Sequence, residues 1–239
     1  NAVLFLASDT SRSRGYAQTL LKNGFTIENS ILLKSESDEI KLGKSPSPKK
    51  PTRKNISGIS IPDLRIPLEE SLKSLSKNIH TIKSGTINSE IVEEYVQKLN
   101  PFLIIYSGFG GEIVSKELIE KGIPFLHMHS GTLPYFRGST TIYYSLLKTA
   151  KCGVSAIFLS SEIDEGDIVS RKSYAKPDCE CNLDYEYDTA LRSDLLIEVL
   201  NDYCKNNFKI ITKKQKKEQG QTYYVIHPLL KHLTLIGLN

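Results

Sequence analysis

Residues 101–129 read Pro101-Phe-Leu-Ile-Ile-Tyr-Ser-Gly-Phe-Gly-Gly-Glu-Ile-Val-Ser-Lys-Glu-Leu-Ile-Glu-Lys-Gly-Ile-Pro-Phe-Leu-His-Met-His129. Two apolar runs, 102–106 and 124–129, are separated by a glycine-rich turn and a short stretch, 116–120, of helical composition. An unbroken apolar run marks a strand buried on both faces, and strand, helix, strand is the repeating unit of a parallel sheet. The same pattern extends in both directions. Ala2-Val-Leu-Phe-Leu-Ala7 is a further apolar run, followed by a polar turn and by Tyr16, Leu20 and Leu21 at helical spacing. A strand at 31–33, an amphipathic segment at 68–75, a strand at 79–82 and a helix opened by Asn88, with Glu90 in its first turn, continue it. The expected fold class is α/β, with a Rossmann-like, mostly parallel, doubly wound sheet. Ligands of such sheets bind beyond the carboxyl ends of the strands, which is where His127 and His129 fall.

Downstream, 154–159 and 168–173 flank an acidic turn and read as a hairpin beside the sheet. Residues 188–203 form a helix with Leu191, Leu195, Leu196 and Val199 on one face. Segments 209–212 and 223–226 read as a second hairpin around Gln219-Gly220-Gln221, and Pro228 suits the first turn of a closing helix. The expected organisation is therefore a catalytic domain over 1–175 and a C-terminal helix, hairpin and closing helix over 176–239, packed on the core. Residues 35–58, rich in Lys, Ser, Pro and Gly, are expected to form a mobile surface loop.

Composition narrows the function. The 239 residues are 39% hydrophobic and 24% charged, ordinary values for a globule with a sizeable core. The net charge of +4 is mostly local, since Lys213-Lys-Gln-Lys-Lys-Glu218 has four lysines against one glutamate, or +3. No basic face interleaved with aromatics is evident, so a nucleic-acid partner is not expected. The apolar runs fall far short of the ~20 residues of a spanning helix, and no signal-like order opens the sequence. No membrane partner is expected, and the expected location is the cytoplasm. Cys152, Cys179, Cys181 and Cys204 form no paired C-x-x-C knuckles, so free thiols are expected rather than a zinc site or a disulfide framework.

Residues i and i+2 of a strand share a face, so His127 and His129 project together. Such a pair suits metal ligation, acid/base work or a mutual hydrogen bond, and a carboxylate decides among them. Ser161-Glu-Ile-Asp-Glu-Gly-Asp167 offers Asp164 in a turn that Gly166 allows to be tight. His80, His227 and His232, each beside apolar residues, read as structural.

The order His127-x-His129-Ser-Gly-x-Leu-Pro-x-x-Arg137-Gly138, then a helix, then Cys152-Gly-Val-Ser-Ala-Ile157 and Ile163-Asp-Glu-Gly-Asp-Ile168, resembles the core of the folate-dependent formyltransferases. The resemblance covers 102–174 closely and the preceding residues in topology only. It implies an Asn-His-Asp catalytic set, with His129 as the histidine, Asp164 as the aspartate and His127 in the place of the asparagine. That exchange is a departure, because an asparagine amide always donates and an imidazole nitrogen donates only when protonated. The resemblance further implies 10-formyltetrahydrofolate as formyl donor, no metal, and folate contacts at Gly110, Glu112, Ile113, Ser161, Glu162 and Ile163. For the acceptor, the tail from Tyr223 resembles sugar N-formyltransferases, and Gly138 to Tyr144 resembles members acting on CMP-linked pseudaminic-type sugars. The implied partner is thus a nucleotide-linked amino sugar. Ser8, Ser11, Arg12 and Arg14 in the first turn, with Arg137, Gly138 and Ser139, are the candidate substrate contacts. A homodimer through the C-terminal hairpin and helix fits the same reading. Two alternatives stay open: a metal-dependent hydrolase using His127, His129 and Asp164, and a formyltransferase-like binding module without catalysis.

Overall fold

The computed structural model describes residues 2–35, 51, 53–177 and 181–238. In chain order the first elements are β1 (Val3–Ser8), α1 (Ser11–Lys22), β2 (Ile27–Lys34), and the short β3 (Asn55–Ile56) and β4 (Ile59–Ser60). There follow α2 (Leu68–Leu75), β5 (Ser76–Lys83), α3 (Glu90–Leu99), β6 (Leu103–Ser107), α4 (Lys116–Ile119) and β7 (Phe125–His129). The remainder comprises β8 (Phe136–Gly138), α5 (Thr141–Thr149), β9 (Lys151–Phe158), β10 (Ile168–Ala175), α6 (Asp188–Lys205), β11 (Gln221–Tyr223) and α7 (Pro228–Ile236). Seven strands share a sheet in the order β10-β9-β7-β6-β1-β2-β5. The pairs β1/β2, β1/β6, β2/β5 and β6/β7 are parallel and β9/β10 is antiparallel. This is the expected mixed α/β architecture.

By internal contacts the chain divides into two compact units, 1–51 with Pro62–His127, and 52–61 with Met128–Asn239. The division runs inside β7, between the two histidines. In the first unit, β6 is buried from end to end and β1 from Leu4 onward, and both read as largely apolar because both faces are covered. At the edge, only Ile82 of β5 is buried, and its sequence Ser-Lys-Asn-Ile-His-Thr-Ile-Lys is accordingly polar. Thr10 caps α1, its side chain accepting from Ser13 N. Ser89, not Asn88, stands at the N-cap of α3, because Asn88 is engaged elsewhere: Nδ2 donates to Ile113 O at 2.8 Å and Oδ1 accepts from Ser115 N at 2.7 Å.

In the second unit, α6 packs on β9 and β10 and buries Leu191, Leu195, Leu196 and Val199. The tail departs from expectation. Residues 209–212 and 223–226 do not form a hairpin; β11 pairs in parallel with β8, Gln221 opposite Phe136 and Tyr223 opposite Gly138. Tyr223 stacks on Phe136 at 5.6 Å, and a Cβ at Gly138, whose φ is +93°, would collide with the Tyr223 carbonyl. Lys213 instead bridges Ile168, with N–H to O distances of 2.8 and 2.9 Å. Aromatic stacking and the glycine's room for close approach outweigh pairing between the two tail segments. Of the expected loop 35–58, residues 36–50 and 52 lie outside the described residues, and its far end carries the antiparallel β3/β4 pair. His227 caps α7, Nδ1 accepting from Leu229 N at 3.2 Å. No described helix is long and apolar enough to cross a membrane.

Candidate active site

His129 ends β7 and is 4% exposed. Its Nδ1 lies 3.3 Å from Asp164 Oδ1, and its Nε2 lies 2.7 Å from the Phe136 carbonyl oxygen. Both partners are acceptors, so any hydrogen on either ring nitrogen has a place to go. Gly131 leaves space for this arrangement, since a Cβ there would sit 2.7 Å from Phe136 O and 2.8 Å from His129 Nε2.

Asp164 is held from three directions. Its Oδ2 accepts from Gly138 N at 2.8 Å, and its backbone oxygen accepts from Gln215 Nε2 at 2.8 Å. Gln215 Nε2 also reaches Gly166 O at 2.7 Å, and a Cβ on Gly166 would collide with the Phe158 carbonyl. The φ of Asp164 is +55°, a left-handed conformation that is uncommon for a residue with a side chain. Strain of this kind, held by several tertiary contacts, is characteristic of functional positions.

The loop after β7 is fixed by β9. Ser155, fully buried, donates to Gly131 O at 2.7 Å and accepts from Leu133 N at 2.9 Å. Two residues earlier on the same face, a Cβ at Gly153 would collide with Thr132 Oγ1. The small residues of Cys152-Gly-Val-Ser155 thus let the loop lie against the strand, and Arg171 Nη1 donates to Leu133 O at 2.7 Å from β10.

The other expected contacts divide. Gly138 takes part through its backbone, donating to Asp164, while Ser139 N donates to Tyr223 O at 2.9 Å. Arg137 is not a free cation facing solvent: it is buried, 3.8 Å from Glu165 Oε1, with Nη2 donating to Lys216 O. Arg14 is likewise structural, with Nε and Nη2 on the Asp9 carboxylate at 2.6 and 2.9 Å and Nη1 on Leu64 O. Arg12 Nη2 donates to Gly108 O at 2.9 Å. Ser8 Oγ, at the end of β1, and Ser11 Oγ, at the start of α1, are buried with no hydrogen-bond partner among the described residues.

Glu112 also does something other than expected, since its Oε1 accepts from Ile87 N at 2.7 Å and ties the loop after β6 to the loop before α3. In that first loop Ile113 is 58% exposed, and Gly110 is half-buried. In the loop before Asp164, Ile163 is 55% exposed, Ser161 and Glu162 are exposed, and Ser160 Oγ donates to Glu162 O. His127 lies beside Tyr106 of the neighbouring strand, ring centroids 6.4 Å apart. Burial, then the Glu112 charge, pushes the Tyr106 hydroxyl well above its ordinary pKa, so it stays protonated beside His127. Phe136, Gly131, Ser155 and Gln215 are the supports that sequence reasoning missed; all four lay inside stretches already singled out, but none was given a role there.

A buried carboxylate–histidine pair at the carboxyl end of a strand in an α/β sheet defines a class: proteins equipped to move a proton or steady charge at a reacting carbonyl. Residues 3–177 match the formyl transferase family, and the chain belongs to that family. It is 29% identical over 208 residues to a methionyl-tRNA formyltransferase of Finegoldia magna, an alignment covering 85% of this chain and 63% of that one. A methionyl-tRNA formyltransferase of Limosilactobacillus fermentum is 28% identical over 152 residues, and this chain spans 48% of its length. Among solved structures, a sugar N-formyltransferase from a Shewanella species superposes with a TM-score of 0.59 at 18% identity, covering 98% of this chain and 86% of that chain. The N-formyltransferase of Helicobacter canadensis, in complex with folinic acid and dTDP-3-aminofucose, gives 0.55 at 16% identity, over 92% and 70% of the two chains.

Proposed function

We propose that this protein transfers the formyl group of 10-formyltetrahydrofolate to the primary amine of a nucleotide-linked amino sugar. The observation that carries the chemistry is the His129–Asp164 pair, with both ring nitrogens of His129 engaged, inside a family match that spans residues 3–177. The amine attacks the formyl carbon, a C–N bond forms, and the tetrahedral intermediate carries negative charge on oxygen and positive charge on nitrogen. Asp164 orients His129 through Nδ1. Nε2 exchanges its contact with Phe136 O for the substrate, donating to the developing oxyanion and relaying the proton that the amine loses. Collapse then breaks the bond between the formyl carbon and the folate nitrogen, which takes up a proton. His127 supplies a second donor on the same strand face. Such roles are each worth roughly 10²- to 10⁴-fold in rate.

For the folate, the loops carrying Gly110 and Ile113, and Ser161, Glu162 and Ile163, supply backbone polar groups and exposed apolar side chains suited to a flat heterocycle. Glu112 serves there by shaping its loop. The unpartnered Ser8 and Ser11 hydroxyls, at the end of β1 and the start of α1, suit a phosphate of the sugar nucleotide. The sugar reading is supported by the Shewanella structure, 86% of which this chain spans. A second reading, formylation of methionyl-tRNA, is favoured by the curated sequence relatives.

The test is a thermal shift with 5-formyltetrahydrofolate, followed by mass spectrometry of amine acceptors incubated with 10-formyltetrahydrofolate. Donor at a hundred times its dissociation constant stabilises the fold by ~2.7 kcal/mol. The expected result is an upward shift and formylation of CMP-, UDP- or dTDP-linked amino sugars but not of methionyl-tRNA. Formylation of methionyl-tRNA alone would replace the sugar reading with the second one, and absence of both shift and product would refute the reaction.

A further inference from the structure

Beside His129 the second unit holds a cavity of about 190 Å³, walled by His129, Ser130, Tyr143, Asp184, Asp188 and Arg192, with the α5 N-terminus completing it. The volume equals about six water molecules at their share of ~30 Å³ each, room for one substituted ring and not for a whole nucleotide. Its charges are matched in pairs. Asp184 meets Lys231 at 2.6 Å and accepts from the Tyr143 hydroxyl at 2.6 Å; Asp188 Oδ2 accepts from Arg192 Nε at 2.7 Å. Each carboxylate has its own cation, so the cavity favours a neutral ligand over an ion.

Two polar atoms are left over. Asp188 Oδ1, on a residue only 7% exposed, and Ser130 Oγ, on one 4% exposed, have no hydrogen-bond partner among the described residues. A buried acceptor without a donor has lost its hydration with nothing in return, a cost that rises when the group is charged. An apolar group, such as the thioether side chain of a methionyl acceptor, would leave both atoms unpaired. A hydroxyl would satisfy them. Sites built around an unpaired buried polar group discriminate strongly against a ligand that lacks the matching group.

We propose that this cavity receives the amine-bearing sugar ring and that Asp188, through its unpaired oxygen, reads a ring hydroxyl of the acceptor, making it a specificity-determining residue. This rests on the amino-sugar reading given above. The experiment is a cycle between protein and ligand with the full chain. Binding of dTDP-3-aminofucose and of UDP- and CMP-linked amino sugars is measured calorimetrically on the wild type and on Asp188→Asn. For each sugar, analogues lacking one ring hydroxyl at a time are included, and formyl transfer is assayed separately.

In the expected result, one deoxy analogue binds the wild type roughly 10- to 100-fold more weakly than its parent, and the two bind Asp188→Asn with nearly equal affinity. The deoxy analogues leave the wild-type protein untouched, so the comparison holds even if Asp188→Asn folds poorly. If a sugar is formylated but every deoxy analogue binds like its parent, or loses the same factor on both proteins, the cavity holds only water and the assignment to Asp188 fails alone. If no sugar is bound or formylated, the amino-sugar reading fails and this inference fails with it.

Discussion

Replacing Ser155 by alanine removes one oxygen and strands two backbone groups. Its hydroxyl donates to Gly131 O at 2.7 Å and accepts from Leu133 N at 2.9 Å, in a place with 0% exposure. The vacancy is smaller than the ~30 Å³ that a water occupies in the liquid, so solvent does not take over either bond. Each orphaned group costs ~1–3 kcal/mol. Allowing the loop to relax and recover part of this, the expected loss is about 3 kcal/mol. For a chain of this size each kcal/mol lowers Tm by ~2–4 °C, which places the variant roughly 6–12 °C below the wild type. Urea unfolding should show the same change as a lower midpoint with an unchanged slope. Because the loop from Gly131 leads to Phe136 O and Gly138 N, which hold His129 and Asp164, catalysis should fall even well below the variant's Tm. A Tm drop under about 2 °C would refute the reasoning, since it would mean that the two bonds are replaced at no cost.

Gly131→Ala puts a methyl 2.8 Å from His129 Nε2 and 2.7 Å from Phe136 O, so it should cost ~1–3 kcal/mol as an overpacked site. Its signature is a changed His129 imidazole nitrogen shift by NMR, and an unchanged shift would count against the arrangement at Nε2. Asp164→Asn keeps the shape but cannot accept from both Gly138 N and His129 Nδ1. The expected loss of turnover is ~10²-fold or more with folate binding, read by thermal shift, nearly unchanged, and a loss confined to folate affinity would contradict the role assigned. Burial, then the Asp188 charge, pushes the Cys152 thiol from its ordinary 9.0 up to about 12. Its stabilising contribution is whole below about pH 9 and declines as pH rises towards 12, because the unfolded chain loses that proton first. Native protein treated with iodoacetamide at pH 8 should be alkylated at exposed Cys204 and spared at buried Cys152, and equal labelling would show that Cys152 is accessible.

The layout of the sheet was legible because burial on both faces demands unbroken apolar runs, and 2–7, 102–106 and 124–129 carry them. The histidine and aspartate proposed as catalytic were legible for a local reason: a strand end and a glycine-assisted turn announce themselves by residue type. The arginines were misread because a guanidinium in a polar turn looks the same whether it faces substrate or a neighbouring carboxylate. Only the fold brings Asp9 and Leu64 to Arg14, and Glu165 to Arg137. The tail hairpin failed for a related reason, as strand propensity does not name a partner and the aromatic face of Phe136 lies some 85 residues before the segment it captures.

Sequence by itself settled the α/β class, the succession of strands and helices along the chain, and the residues able to carry acid/base chemistry, since these follow from periodicity and side-chain chemistry along a short stretch. The tertiary structure decided what those residues face. Asp164 reaches His129 because Gly138 N, Gln215 and the space over Gly166 hold its turn, and Asp188 keeps an unpaired oxygen because Arg192 takes only the other one. Hydrogen bonds and close approaches between residues distant in the chain depend on distances of a few tenths of an ångström, and no local pattern of residue types encodes those.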